Sequence, residues 1–201
     1  MLQAFAYCQV AVLVRHWFEI SLTDSHLEHG TRVELRLLDP QPHRGSESAA
    51  QRIVADAPVW RADLFDRIGG TPGDFEAAHF HPFFTGPEPS ERHWDDAVRT
   101  APWEWLRRQL ADLGAIAAAA GVTLTDPAAE SEQVLADLPA ILTAAQSLAP
   151  GQCRSSHQCH AWTSDVTTAV ALMLEQLARP DLLDRGYAAP WLRRARSGRT
   201  I

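Results

Sequence analysis

From Val10 to Leu22 the even-numbered positions are Val10, Val12, Val14, His16, Phe18, Ile20 and Leu22, apolar at every step but one, while the odd positions include Arg15, Trp17, Glu19 and Ser21. Period-two alternation over that length is the mark of a strand with one covered face. Thr31 to Leu37 repeats it, with Val33, Leu35 and Leu37 set against Arg32, Glu34 and Arg36. A third strand is expected from about Arg52 to Phe65, where Trp60, Ala62 and Leu64 alternate with Arg61 and Asp63. Pro58 should bend it, because proline cannot donate to a ladder. The breaker cluster Gly69-Gly70-Thr71-Pro72-Gly73 follows, and Phe75 to Phe84 is expected to return as the second arm of a hairpin. That last strand is apolar on both faces and should lie in a covered part of the sheet.

After about residue 90 the period becomes helical. Thr100-Ala101-Pro102 marks a start, and Trp103, Leu106, Leu110, Leu113 and Ala117 form one stripe before Gly121. Asp126-Pro127 opens a second helix with the stripe Val134, Leu138, Ile141, Ala145 and Leu148, which Pro139 should kink or divide. Ser155 or Ser156 is expected to cap a final helix to about Ala178. Strands first and helices second predict an α+β fold: an N-terminal antiparallel sheet, curved or barrel-like, followed by about three to four helices packed on it. The expected organisation is a single domain over 1–201, with strands mainly in 1–90, helices mainly in 91–190 and a basic tail at 191–201.

Composition limits the function classes. The chain has 201 residues and a formal charge of −7, which argues against non-specific nucleic-acid binding. All 18 basic residues are arginine, so a Schiff-base lysine and a phosphate-loop lysine are excluded within this chain. The three cysteines, Cys8, Cys153 and Cys159, cannot all pair with one another and fit a reducing compartment, so a cytoplasmic location is expected. Met1 to Val14 is apolar without a basic leader region, and no apolar run reaches the ~20 residues needed to span a bilayer. The expected partners are a small-molecule ligand and, as an open alternative, further copies of the chain; neither nucleic acid nor membrane is expected.

The chemistry-bearing stretch is His79-Phe80-His81-Pro82. In a strand both imidazoles project from one face, where two neutral rings can bind one zinc, iron, copper or nickel ion. His16, the polar exception on its own strand face, is the expected third imidazole. His16, His79 and His81 are therefore the candidate catalytic residues and the candidate ligands of a divalent metal, zinc or iron. The same three rings without metal would serve acid–base chemistry. The bland alternative is that each histidine is a hydrogen-bonded structural residue.

The spacing Gly73-x5-His79-x-His81 resembles the first half of the cupin metal motif over about ten residues. A glutamate and then a glycine should follow in that motif. Here the corresponding positions are Thr85 and Gly86, the nearest glutamate is Glu88, and the second cupin motif is absent. No fold or activity is carried over from it.

Other constellations read more blandly. If the final helix extends back to Cys153, that residue, His157 and His160 fall along one stripe of it, opposite its apolar side, and are read as its solvated face. Asp24, His26, Glu28 and His29 crowd one short turn, read as a polar surface connection. Arg61 and Asp63 share a face that can hydrogen-bond across the sheet near the histidines, or form a cross-strand ion pair. Several of the seven tryptophans are expected to fill the core or wall an apolar pocket. Four arginines near the end, Arg193, Arg194, Arg196 and Arg199, read as a solvated tail. The leading expectation is a small-molecule enzyme with a histidine-based, metal-dependent site. The alternative is a non-catalytic ligand-binding or interaction domain with structural histidines.

Overall fold

The computed structural model describes residues 2–20, 27–41, 53–67 and 70–149, all within the first of two compact units, Met1–Arg154. Five strands, β1 (Leu2–Ala6), β2 (Val10–Ile20), β3 (Leu27–Pro40), β4 (Ile53–Arg67) and β5 (His79–His81), form one antiparallel sheet in chain order. Two further short strands, β6 (Phe84–Thr85) and β7 (Glu88–Pro89), make a separate hairpin. Four helices complete the described part: α1 (Asp96–Thr100), α2 (Pro102–Leu110), α3 (Leu113–Ala119) and α4 (Pro127–Ser147). None of them is long and apolar enough to cross a membrane.

The α+β order is as expected; the barrel-like sheet is not found. The sheet is open, with β1 and β5 at its edges. The outer edge of β5 is taken by the chain that follows it: Phe80 N–H donates to the His93 carbonyl at 3.0 Å, and His93 N–H donates back at 2.9 Å. Closure onto β1 would need those same groups. The histidine-bearing strand is also shorter than expected, because Phe75 to Ala78 is irregular and Pro82 ends the ladder. Phe75 itself takes a left-handed backbone, φ 48°, held by Asp66, whose two carboxylate oxygens accept from Gly73 N–H at 2.6 Å and Phe75 N–H at 2.7 Å. Pro58 lies where expected, facing Arg36 at a register shift between β3 and β4.

The helices start where aspartates can cap them. The side chains of Asp95, Asp112 and Asp126 accept from the exposed first-turn N–H groups of α1, α3 and α4. Asp112 explains why the stripe from Trp103 to Ala117 is two helices rather than one. Pro139 does not divide α4, because both Pro139 and Leu135, whose carbonyl loses its donor, lie on the exposed side. Val134, Leu138, Ile141 and Ala145 are buried from the same helix.

One face of the sheet carries the apolar core. Val10, Val12 and Val14 of β2, Val33 and Leu35 of β3, and Trp60, Ala62 and Leu64 of β4 cluster with Trp105, Leu106, Val134 and Ile141 of the helices. Trp105 stacks on Trp60 at 6.0 Å and meets Phe80 at 5.2 Å. Thr31 Oγ1 donates to the Ala145 carbonyl at 2.7 Å, tying β3 to the end of α4. The opposite face is also buried at its centre, but it is charged, and there the candidate site lies. The Asp24 and His26 positions, the final helix expected from Ser155 with Cys153, His157 and His160, and the arginine tail lie outside the described residues.

Candidate metal centre

Register decides which side chains meet. Arg15 faces Arg32, Arg32 faces Asp63, and Asp63 faces His79, so these four form one row across β2, β3, β4 and β5. The next row on the same face is Leu13, Glu34, Arg61 and His81. His16 faces Thr31, which faces Leu64, and Leu64 is the chain neighbour of Asp63. Successive residues of a strand point to opposite faces, so His16 is on the other side of the sheet from His79 and His81. Its ring lies 5.6 Å from that of His29 instead. Asp63, not His16, stands third beside the two histidines.

Asp63, His79 and His81 are all buried, and their potential ligand atoms lie within 4.8 Å of one another. Asp63 Oδ2 is 3.4 Å from His79 Nε2 and 3.7 Å from His81 Nε2. Each ring is turned by its other nitrogen. His79 Nδ1 is 2.8 Å from the Ala77 carbonyl, and His81 Nδ1 is 2.6 Å from the Ser90 carbonyl. A carbonyl only accepts, so both Nδ1 atoms carry the proton, and in the neutral ring Nε2 then offers a lone pair. Orientation of a ligating imidazole through Nδ1–H to a backbone carbonyl is a recurrent support for metal sites.

The two Nε2 atoms differ in what they face. His81 Nε2 lies 3.0 Å from Nη2 of Arg61, which donates to it. His79 Nε2 is completely buried and has no hydrogen-bond partner among the described residues, for its 3.4 Å approach to Asp63 Oδ2 does not have hydrogen-bond geometry. A buried polar atom without a partner costs roughly 1–3 kcal/mol. A lone pair and a carboxylate oxygen facing each other across a dry gap repel, unless a proton or a cation stands between them.

Arginines fix the charge of Asp63. Arg32 grips it with Nε at 2.5 Å from Oδ1 and Nη2 at 3.0 Å from Oδ2, and Arg61 Nε is 3.1 Å from Oδ2. Burial works to raise the Asp63 carboxyl, but the Arg32 and Arg61 guanidiniums beside it hold it well below the usual carboxylate range. Burial pushes His81 down to about 4, reinforced by Arg61 and opposed by the Ser90 carbonyl and Asp63, so this ring is neutral near pH 7. The described polar face thus offers one ionised carboxylate and two imidazole nitrogens, a set that can hold a metal ion.

The segment after β5 folds back over this face. Arg92 binds Glu19 at 3.0 Å and Glu28 at 3.1 Å, Trp94 sets its ring 5.3 Å from that of His79, and Phe84 lies 5.6 Å beneath the Arg61 guanidinium. Glu28 and His29 of the expected surface turn are thereby separated: Glu28 is buried against Arg92, and His29 lies on the His16 side. A cleft of about 490 Å³ between Phe75, Trp103 and the end of α4 has a tryptophan wall, and none of Asp63, His79 and His81 lines it. The sequence signal for Asp63 was the face it shares with Arg61, alternating with Trp60, Ala62 and Leu64; what placed it against His79 was the register of a three-residue strand. Comparison with protein-family models, curated proteins and solved structures finds no match to this chain.

Proposed function

We propose that Asp63, His79 and His81 hold a divalent transition-metal ion, and that the protein is an enzyme acting there on a small molecule. One observation carries the reading: the fully buried, unpartnered Nε2 of His79 faces an ionised carboxylate, while its Nδ1–H is committed to the Ala77 carbonyl. Two ligand atoms about 2.0–2.1 Å from a tetrahedral zinc lie about 3.3–3.4 Å apart, close to the 3.4 and 3.7 Å separations here. Two imidazoles and a carboxylate suit zinc or ferrous iron and leave positions open for ligands. A bound ion of this kind supplies Lewis acidity, which serves hydrolysis, isomerisation and oxygen chemistry alike.

The chain's own groups have definable tasks around it. The Ala77 and Ser90 carbonyls hold the two ring orientations. Arg32 keeps Asp63 ionised and aimed, and Trp94 shields the His79 ring from solvent. His16 takes no part in this reading, because it stands on the helix-covered face.

A second reading rests on Arg61. Its Nη2 already occupies the His81 lone pair, and Asp63 already has two guanidinium neighbours. In this reading the cluster is a metal-free polar network fastening β5 to β4, and the protein is a binding or interaction domain with structural histidines. Metal analysis of protein purified without a histidine tag separates the two. The enzyme reading expects close to one equivalent, lost in the His79→Ala/His81→Ala double variant. Less than about a tenth of an equivalent, unchanged by that variant, leaves only the structural reading.

A further inference from the structure

Resting on that metal reading, we infer that the site takes an anionic substrate, a small molecule that ligates the ion through a carboxylate-type oxyanion and is gripped by Arg61.

The inference follows from charge on the buried face. Among the described residues Arg32, Arg61 and Arg92 are joined to Glu19, Glu28 and Asp63 in one set of ion pairs, while Arg15 and Arg36 pair separately with Glu34. Three guanidiniums face three carboxylates in the set around the site, so the one ligating carboxylate brings no spare negative charge. His79 and His81 add none as neutral ligands. A divalent ion here would carry its full charge into a buried region whose charges already balance, and uncompensated buried charge is strongly unfavourable. Anions in the open coordination positions remove that penalty.

Arg61 is placed to exchange partners. Its Nη2 donates to the same His81 Nε2 lone pair that an ion requires. When that lone pair is taken, the donor is released while the guanidinium stays beside Asp63. A planar guanidinium with free N–H groups is the side chain best suited to a bidentate carboxylate. Arg61 is also less buried than Asp63, His79 and His81, its side chain about a tenth exposed against none for Asp63 and His79, so solvent comes nearest to the site at Arg61. In the free protein Arg61 caps His81; in the loaded protein it binds the substrate's anion.

The test uses the full chain loaded with cobalt(II), titrated with oxalate and, as the uncharged analogue, oxamide. Binding is read from the cobalt absorption band, and cobalt retention from gel filtration. Wild type should bind one oxalate without losing its cobalt, and oxamide should bind weaker by about tenfold or more, the scale of one charge-assisted contact. Arg61→Gln should bind cobalt alone at least as tightly as wild type, since a competing donor is gone, yet lose oxalate affinity by about tenfold or more. Arg61→Lys, which keeps the charge but not the fork, should show the same split to a lesser degree and replaces Gln if that variant does not fold. Equal binding of oxalate and oxamide, or unchanged oxalate affinity in both Arg61 variants, overturns the anionic-substrate inference while leaving the metal site standing. Failure of wild type to bind cobalt overturns both together.

Discussion

Asp63 and His79 face each other directly across the β4–β5 ladder, Oδ2 and Nε2 3.4 Å apart, both fully buried and with no hydrogen bond between them. Around that gap the remaining polar atoms of the two side chains are engaged, Nδ1 by Ala77 and Oδ1 by Arg32, which also donates to Oδ2. The contact is therefore held open by its surroundings.

Asp63 is also the anchor of the arginine network. Asp63→Ala would leave Arg32 and Arg61 buried with their shared carboxylate gone, and removing one partner of a buried pair costs about 3–5 kcal/mol. Asp63→Asn keeps the shape and a hydrogen-bond acceptor and should cost less. Urea unfolding at pH 7 measures both. A loss below about 1 kcal/mol for Asp63→Ala would mean that the pairs are as weak as exposed ones.

His16 and His79 are predicted to behave oppositely in metal retention. His79→Ala and His81→Ala should each abolish stoichiometric metal. His16→Ala should leave it intact, since the Thr31–Leu64 row places His16 on the other face of the sheet. Metal content of the three tag-free variants by elemental analysis decides the point, and loss in His16→Ala would contradict the Asp63-centred site.

Much of this arrangement was legible from alternation alone. The even positions of β2, the paired spacing of Arg61 and Asp63, and the shared face of His79 and His81 all follow from period two. What could not be read was which faces coincide. Period two over a continuous strand would put Phe75 and Ala77 on the histidine face, but those two residues belong to an irregular stretch held by Asp66, and the ladder begins only at His79. In β5 itself the core-facing residue is Phe80, against Trp105, and its neighbours therefore face the charged side. Strand register depends on long-range pairing and turn geometry, which a single sequence fixes poorly when the connection is long. The openness of the sheet was hidden for the same reason, because the closing of β5's edge by His93 is a contact between irregular segments.

Acid should destabilise the metal-free protein well before carboxylates titrate. Burial, with His29 nearby, lowers His16 from its usual 6.5 to about 4, and burial lowers His29 as well against the opposing charge of Asp66. His81, facing Arg61, Asp63, His79 and the Ser90 carbonyl, is lowered to about 4. A histidine with a depressed folded pKa binds its proton more readily when unfolded. Its contribution to stability is therefore complete above about 6.5 and is lost as pH falls toward about 4. Asp63 adds its own loss only below the ordinary carboxylate pKa of 3.8. Melting temperature in chelator should fall between pH 7 and pH 5, and His16→Gln and His81→Gln should each flatten that fall. A wild-type profile level across this interval would show that these rings are not held neutral.

Gly30 gives a test of how closely β3 must approach β4 for the site to exist. It sits opposite Trp17 on one side and Phe65 on the other, at φ +155°, and a Cβ there would stand 2.2 Å from the Leu64 carbonyl oxygen and 3.0 Å from the Phe65 Cα. Both obstacles are backbone, so no rotamer change can relieve them. The strands would have to part beside Asp63, which immediately precedes Leu64. Gly86, at φ +61° in the β6–β7 turn, would place a Cβ with nothing within 4 Å of it, and so isolates the cost of backbone conformation alone. Gly86→Ala should cost about 1 kcal/mol. Gly30→Ala should cost at least about 2–3 kcal/mol and should also weaken metal retention, because it displaces the strand that carries the carboxylate. Chemical unfolding and metal analysis of the two variants, side by side, read both effects. Equal cost at the two positions would mean that the β3–β4 approach at Gly30 is not the constraint it is inferred to be.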